Sequence, residues 1–218
     1  MQCRICKSDC VPVLKLQGIW KCPVCETLNK QDIPDPKYYP DISYWYTDPW
    51  LKLYQKSIFV YFEQDILDLP SLEIGAADGD MLHLVQQLHP KQETIYCELV
   101  DLHRKEYQFT EYWIDQVEKF YGNIKYLPQP HNILLINLVE HLVDPLKILE
   151  VCPSGSRLFI VTDDGDAFLA HDALLLHVEH SCVITKKGFE LAAKNNKAQI
   201  LRYYPTPVNI SVTVIDKL

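Results

Sequence analysis

Apolar and polar positions along this 218-residue chain follow two different patterns. Residues 1–30 show no long apolar periodicity and are punctuated by cysteine. From about residue 50 onward, short apolar runs alternate with stretches whose apolar positions recur every three to four residues. The spacing through Leu51, Tyr54, Ile58 and Tyr61 predicts a helix from Trp50 to about Asp65. Strands are then predicted at Leu72–Ile74, Thr94–Glu98, Ile133–Asn137 and Arg157–Thr162. The helices between and after them fall at Met81–Leu88, Glu111–Phe120, Pro145–Val151 and around Thr185–Lys194. Two closing strands, Ala198–Tyr203 and Ile210–Ile215, joined through Tyr204-Pro205-Thr206-Pro207, read as a terminal antiparallel hairpin. Strands alternating with helices imply an α/β fold: a doubly wound, mostly parallel sheet with helices on both faces. The Pro- and Tyr-rich run beginning Gln31-Asp32-Ile33-Pro34 marks a boundary. It divides the chain into a module at 1–30, a connector and helix at 31–65, and an α/β domain at 66–218.

Composition narrows the class. With 48% hydrophobic and 23% charged residues the chain has the make-up of a globular protein. No apolar run approaches the roughly 20 residues of a membrane helix, so no membrane partner is expected. The opening Met-Gln-Cys-Arg-Ile-Cys carries no apolar leader, and a cytoplasmic location is the expectation. The eight cysteines would then stay reduced rather than form a disulfide framework. A net charge of −8 argues against a nucleic-acid partner. Residues 1–37 are the exception, with six Lys/Arg against four Asp/Glu.

Cys3-x2-Cys6 and Cys22-Pro23-Val24-Cys25 lie fifteen residues apart, the spacing of paired zinc knuckles on a short β-ribbon. Cys3, Cys6, Cys22 and Cys25 are therefore the candidate ligands of one structural Zn²⁺. With no histidine or carboxylate in the set, the site reads as closed and non-catalytic. Four thiolates around the ion bring about −2 of charge, leaving the module near neutral. A folding or substrate-capping role is favoured over nucleic-acid contact. Cys10 is a spare, and Cys97, Cys152 and Cys182 sit in apolar settings suited to small core residues.

The stretch Leu72-Glu73-Ile74-Gly75-Ala76-Ala77-Asp78-Gly79-Asp80 reads strand, glycine turn, helix. Such a turn opens a Rossmann-like sheet and lets a ligand approach the backbone closely. Glu73 ends the strand beneath the turn, where its carboxylate can hold a ligand's amino end. The next strand ends Tyr96-Cys97-Glu98-Leu99, which puts an acid about 20 residues past the turn, where a ribose would be held. These features alone suit NAD and S-adenosylmethionine equally.

The sequence Ile133-Leu134-Leu135-Ile136-Asn137-Leu138-Val139-Glu140-His141-Leu142-Val143-Asp144-Pro145 separates the two. With Cys152-Pro153-Ser154-Gly155 leading into the next strand, it resembles the class I S-adenosylmethionine-dependent methyltransferases, in the branch with an EH-x-x-DP signature. The resemblance covers about residues 70–215. It implies S-adenosyl-L-methionine as cofactor, with Glu73, Gly75, Ala76, Ala77, Asp78 and Gly79 at its methionine end. Glu98 and Leu99 would lie at the ribose, and Asn137 and Leu138 beside the sulfonium. The family also places an acid or amide after its third strand to hold the adenine. The only segment the pattern offers there, Ile124-Lys125-Tyr126-Leu127-Pro128-Gln129, leaves that contact unassigned.

Methyl transfer needs an aligned acceptor and often a base. Two histidines are candidates: His141, and His180 in His177-Val178-Glu179-His180. The chain is similar to sugar and natural-product tailoring methyltransferases with an N-terminal zinc module, in which a Glu-His pair in this region supplies the base. Glu179-His180 matches that pair, although Val183-Ile184 stands where the family has aromatics. His180 is thus favoured over His141. Related enzymes bind a divalent cation with E-x-x-EH, but Asn137 replaces the first acid and removes one anionic ligand. Tyr38, Tyr39, Tyr44 and Trp45 would cover the site or pack the ribbon. The expected activity is methyl transfer to a small molecule, such as a sugar, glycan or natural-product scaffold. The alternatives are an RNA or protein methyltransferase using the ribbon for capture, and a non-catalytic interaction module retaining the fold.

Overall fold

A computed structural model describes residues 1–13, 18–31, 49–76, 79–98, 110–113, 129–142, 144–170 and 180–218. Its central sheet is mixed α/β in character and mostly parallel. In chain order the strands are β4 (Ser71–Ile74), β5 (Thr94–Glu98), β6 (Thr110–Trp113), β7 (Asn132–Ile136), β8 (Arg157–Asp163), β10 (Ala198–Pro205) and β11 (Ile210–Lys217). Their spatial order is β10-β11-β8-β7-β4-β5-β6. Strands β4 to β8 run parallel, and the β10–β11 hairpin returns antiparallel along β8.

Sequence pattern and packing agree best at β7. All five residues of Asn-Ile-Leu-Leu-Ile are buried, as a strand covered on both faces requires. Successive side chains alternate between faces. Ile133 and Leu135 join Leu146, Ile148, Leu149 and Phe189, which come from α3 (Ile148–Val151), α5 (Lys186–Asn195) and the turn before α3. Leu134 and Ile136 join Ile58, Phe59, Phe62, Met81 and Val85, from α1 (Pro49–Phe59), α2 (Asp80–Leu88) and the turn after α1. Each such side chain contributes about 1.5–3 kcal/mol by leaving water. The helices therefore sandwich the sheet, and the loops at the strands' carboxyl ends are left to carry chemistry.

A second, smaller sheet runs β1 (Val11–Pro12), β2 (Ile19–Lys21), β3 (Leu28–Lys30) and β9 (Cys182–Val183), all antiparallel. Its fourth strand comes from far along the chain. The ribbon is thereby hydrogen-bonded into the segment that leads to α5, the helix after α4 (Gly165–Ala170).

Three expectations need correction. The pattern predicts a helix over Glu111–Phe120, but Thr110–Trp113 is a strand, paired in parallel with β5, and 114–120 lie outside the described residues. Tyr112, Trp113, Val117 and Phe120 mimic a helical period, while Thr, Tyr and Trp favour a pleated surface once a partner edge exists. The helix from Trp50 ends at Phe59 instead of continuing to Asp65. There the chain tightens into three-residue turns, with the amides of Tyr61 and Phe62 donating to Ile58 and Phe59. The helix before β8 is also shorter, Ile148–Val151 in place of Pro145–Val151. Among the described residues no helix is long and apolar enough to cross a membrane.

Candidate functional site

The order of the sheet reverses between β4 and β7, and ligands of doubly wound sheets bind outside the strand ends at such a point. Gly75 follows β4 and Asn137-Leu138 follows β7, and the two strands pair through Ile74 and Leu135. The sequence-predicted cofactor turn and the sulfonium-end residues thus come together. Gly75 has φ +68°, and a Cβ there would lie 3.1 Å from Leu138 Cδ1. Glycine is required both by conformation and by the close approach of Leu138. Gly79, with φ +80°, caps α2, and its amide donates to Ala76 at 2.7 Å.

Glu73 is buried at the end of β4, and its Oε2 accepts from the Leu82 amide at 3.1 Å. It satisfies one of the amides that a helix start leaves without an internal partner. This carboxylate orders the turn from beneath. Asn137 adopts φ +49°, a conformation asparagine tolerates better than most residues. Its amide donates to Val161 at 2.8 Å, and its Oδ1 accepts from the Tyr54 hydroxyl at 3.0 Å. Tyr54, on α1, was not identified from sequence. Burial pushes its phenol above the usual range, so it stays a neutral donor. The backbone of Glu98 ends β5 as expected. Ala77, Asp78 and Leu99 lie outside the described residues, as do Tyr38, Tyr39, Tyr44, Trp45, His177 and Glu179.

One step beyond Asn137, the chain makes a single turn at Val139–His141. This turn brings Glu140 and His141 to His180, so that the two sequence-predicted histidines meet beside an acid. The imidazoles meet edge to face, with ring centroids 4.7 Å apart. One ligand atom from each of Glu140, His141 and His180 lies within 4.8 Å of the others. Glu140 is 1% exposed, and its Oε2 accepts from Thr162 Oγ1 at 2.9 Å. Desolvation raises its pKa to about 7, against the pull of His180 in the other direction. Asp163, at the end of β8, places Oδ2 2.7 Å from His180 Nδ1. Neither Glu140's burial nor Asp163's pairing was legible in the sequence. The only hint was that both acids stand at the carboxyl ends of central strands.

The four cysteines also converge. Cys3 and Cys25 sulfurs are 3.5 Å apart, Cys6 and Cys22 3.4 Å, and all four lie within 4.8 Å of one another. A tetrahedral zinc with Zn–S near 2.3 Å spaces its sulfurs by about 3.8 Å. The two knuckles share one backbone plan. Lys7 and Glu26, each just after a second cysteine, have φ of +60° and +64°. Their amides donate to Cys3 and Cys22 carbonyls at 3.0 and 2.9 Å. The Cys3 and Cys22 amides in turn donate to Ser8 and Thr27. Sulfurs this close do not all ionise together unless a cation offsets their charge. The hydrogen bond shared by the two sulfurs pulls the Cys3 thiol below its usual range and pushes Cys25 up. Cys10 is buried beside the cluster, and Cys152 and Cys182 are core residues as expected.

The corrected third strand, β6, moves the start of the segment that follows it. The residues after β6 read Ile114-Asp115-Gln116, an acid followed by an amide. They lie outside the described residues.

No protein-family model and no curated protein matches the chain. Solved structures do. A SAM-dependent methyltransferase from Archaeoglobus fulgidus matches with TM-score 0.57 and 13% identity, over 76% of this chain and 94% of that one. The PH0226 protein from Pyrococcus horikoshii OT3 matches with TM-score 0.59 and 11% identity, over 81% and 99%. CalO1, a methyltransferase in calicheamicin biosynthesis solved with SAH bound, matches with TM-score 0.52 and 14% identity over 81% of this chain. The chain spans only 60% of CalO1, and 49% of an apigenin-bound O-methyltransferase family 2 protein. At these identities the likeness concerns architecture: the chain has the Rossmann-like fold of S-adenosylmethionine-dependent methyltransferases.

Proposed function

We propose that this protein is an S-adenosylmethionine-dependent methyltransferase acting on a small molecule, with a sugar, glycan or natural-product scaffold as the acceptor class. One observation carries the reading. The glycine turn and Asn137-Leu138 meet at the switch point of the sheet, and the Glu140–His141–His180 cluster stands one turn further along.

The residues fit the cofactor. Gly75 keeps its turn free of side-chain atoms where Leu138 approaches, and Glu98 ends the neighbouring strand where a ribose would be held. Asp115, the first acid after β6, is assigned to the adenine amino group. When bound, the cofactor supplies an electrophilic methyl on sulfur. His180 accepts the proton that the acceptor's O–H gives up as its oxygen takes the methyl. Asp163, its carboxylate 2.7 Å from Nδ1, stabilises the imidazolium that results. Tyr54 fixes Asn137 from α1 and so steadies the strand end beside the transferred group.

Cys3, Cys6, Cys22 and Cys25 are assigned to one structural zinc, on the strength of their donor set and paired knuckle geometry. A second reading of the imidazole cluster is that Glu140, His141 and His180 hold a divalent cation that orients the acceptor. With the ribbon zinc retained, activity without any added divalent cation would support the base, and activity that requires added Mg²⁺ or Mn²⁺ would support the cation.

The deciding experiment is calorimetry with S-adenosylhomocysteine, followed by transfer of labelled methyl to a panel of sugars and phenols. Wild type should bind, and Glu98→Ala should weaken binding by about tenfold or more. Absence of binding at millimolar ligand would sink the reading. Acceptor affinity that falls steeply with salt would point instead to RNA.

A further inference from the structure

Ser181 follows His180 directly, and it is fully buried. Its amide donates to the Glu140 carbonyl at 2.6 Å, and its hydroxyl donates to the Leu142 carbonyl at 2.6 Å. Its own carbonyl accepts from two groups of the ribbon, the Lys30 amide at 2.9 Å and Arg4 Nε at 3.3 Å. Ser181 is therefore clamped, with the Glu140–Leu142 turn on one side and the cysteine ribbon on the other. Pairing of β9 with β3, through Leu28–Val183 and Asn29–Cys182, extends the clamp by two residues.

The ribbon side of this clamp is built out of the knuckles themselves. Arg4 lies inside the first knuckle, between Cys3 and Cys6. Its amide donates to Asn29 Oδ1 at 2.9 Å, and its guanidinium also reaches the Lys30 carbonyl at 3.2 Å. The second knuckle acts from the other end of the segment. Cys25's carbonyl accepts from Thr185 Oγ1 at 2.6 Å, and the same oxygen accepts from the Gly188 amide as the N-cap of α5. A Cβ at Gly188 would lie 2.7 Å from Thr27 Oγ1, so glycine lets the helix approach the ribbon this closely. Both knuckles thus hold the stretch from Ser181 to Thr185, one near each end. A ribbon of about 30 residues buries too little apolar surface to hold its shape alone, and a bound metal supplies the order.

We infer that the four-cysteine ribbon is a positioning element of the active site: metal held by Cys3, Cys6, Cys22 and Cys25 sets His180 through Arg4, β3 and Ser181. The inference rests on the zinc and His180 assignments above. It gives the ribbon a function beyond stability, because the histidine segment is one strand of the ribbon's own sheet.

The test uses the full-length chain and no acceptor. Amide exchange at Lys30, Ser181, Cys182 and Val183, and the His180 ring resonances assigned with His180→Gln, are compared between zinc-loaded protein and protein stripped by chelation. S-adenosylhomocysteine affinity is measured alongside. Zinc removal should speed exchange at these amides by about tenfold or more and shift or broaden the His180 signal. Affinity for S-adenosylhomocysteine should stay within about twofold, because the Gly75 turn stands on other strands. Arg4→Gln, with its zinc content confirmed, should reproduce the His180 shift without metal loss, and Arg4→Lys should restore part of it. An unchanged His180 signal in both stripped protein and zinc-loaded Arg4→Gln would overturn the inference while leaving the methyltransferase reading intact. Native protein without zinc would overturn it at its first step.

Discussion

Asp163 Oδ2 lies 2.7 Å from His180 Nδ1, joining the last residue of β8 to a histidine from a loop that precedes the ribbon's fourth strand. The two side chains are mostly buried, at 19% and 10% exposed, so solvent screens their pairing little. A carboxylate this close to the ring favours the imidazolium, the form a base reaches when it takes up a substrate proton.

Asp163→Asn keeps the shape but loses the charge that stabilises an imidazolium. We expect turnover to fall by about 10–100-fold with S-adenosylhomocysteine affinity within about twofold. Single-turnover transfer of labelled methyl, with calorimetry on the same preparations, checks this. A parallel loss in cofactor affinity would instead mark Asp163 as a structural residue.

Gly75→Ala meets two obstacles, a φ of +68° and Leu138 Cδ1 at 3.1 Å from the new methyl. The conformation alone costs about 1–2 kcal/mol. The variant should lose that much stability and, with the turn holding the cofactor as proposed, bind S-adenosylhomocysteine at least about tenfold more weakly. Adding Leu138→Ala should relieve the steric part and leave the conformational part. A denaturation double-mutant cycle measures the coupling, and strict additivity would contradict the contact.

Glu140 is buried with its pKa raised to about 7, from an ordinary 4.5, chiefly by desolvation. The folded protein therefore binds this proton more tightly than the unfolded chain. The group's contribution is fully present below about 4.5 and is lost as pH rises through about 7. Glu140→Gln cannot ionise, so its unfolding midpoint should decline less than wild type's between pH 5 and pH 8. Thermal melts across that range decide it, and parallel curves for the two proteins would refute the buried charge.

Cys22→Ser removes one of four sulfurs whose neighbour, Cys6, stands 3.4 Å away. Metal analysis should find about one zinc per chain in wild type and well under half that in the variant. The melting temperature should drop with it, because metal-binding energy in such modules is folding energy. Carefully purified wild type without zinc would exclude the assignment.

How far the sequence reaches can be judged residue by residue. Thr94–Glu98 forms a strand with the expected limits, and Thr185 caps α5 where the pattern starts that helix. Local signals suffice there: apolar runs of strand length, a threonine before a helical period, glycines in a turn. The edge strand Thr110–Trp113 escaped detection because its neighbours carry a helix-like period, and only pairing with β5 selects the extended form.

The site divides in the same way. Gly75, Gly79 and the four cysteines could be proposed from short motifs whose chemistry depends on spacing of a few residues, and Asn137 and Leu138 from the family resemblance. Tyr54, Glu140, Asp163, Ser181 and Arg4 were not assigned roles, since each acts on a partner far away in the chain. Arg4 and the Ser181 carbonyl it reaches are separated by 177 positions. Local order thus determined most of the elements, the glycine turn and the paired cysteines. Tertiary structure alone decided which acid holds which histidine and what the ribbon grips, because those contacts depend on the sheet's strand order and on the burial it creates.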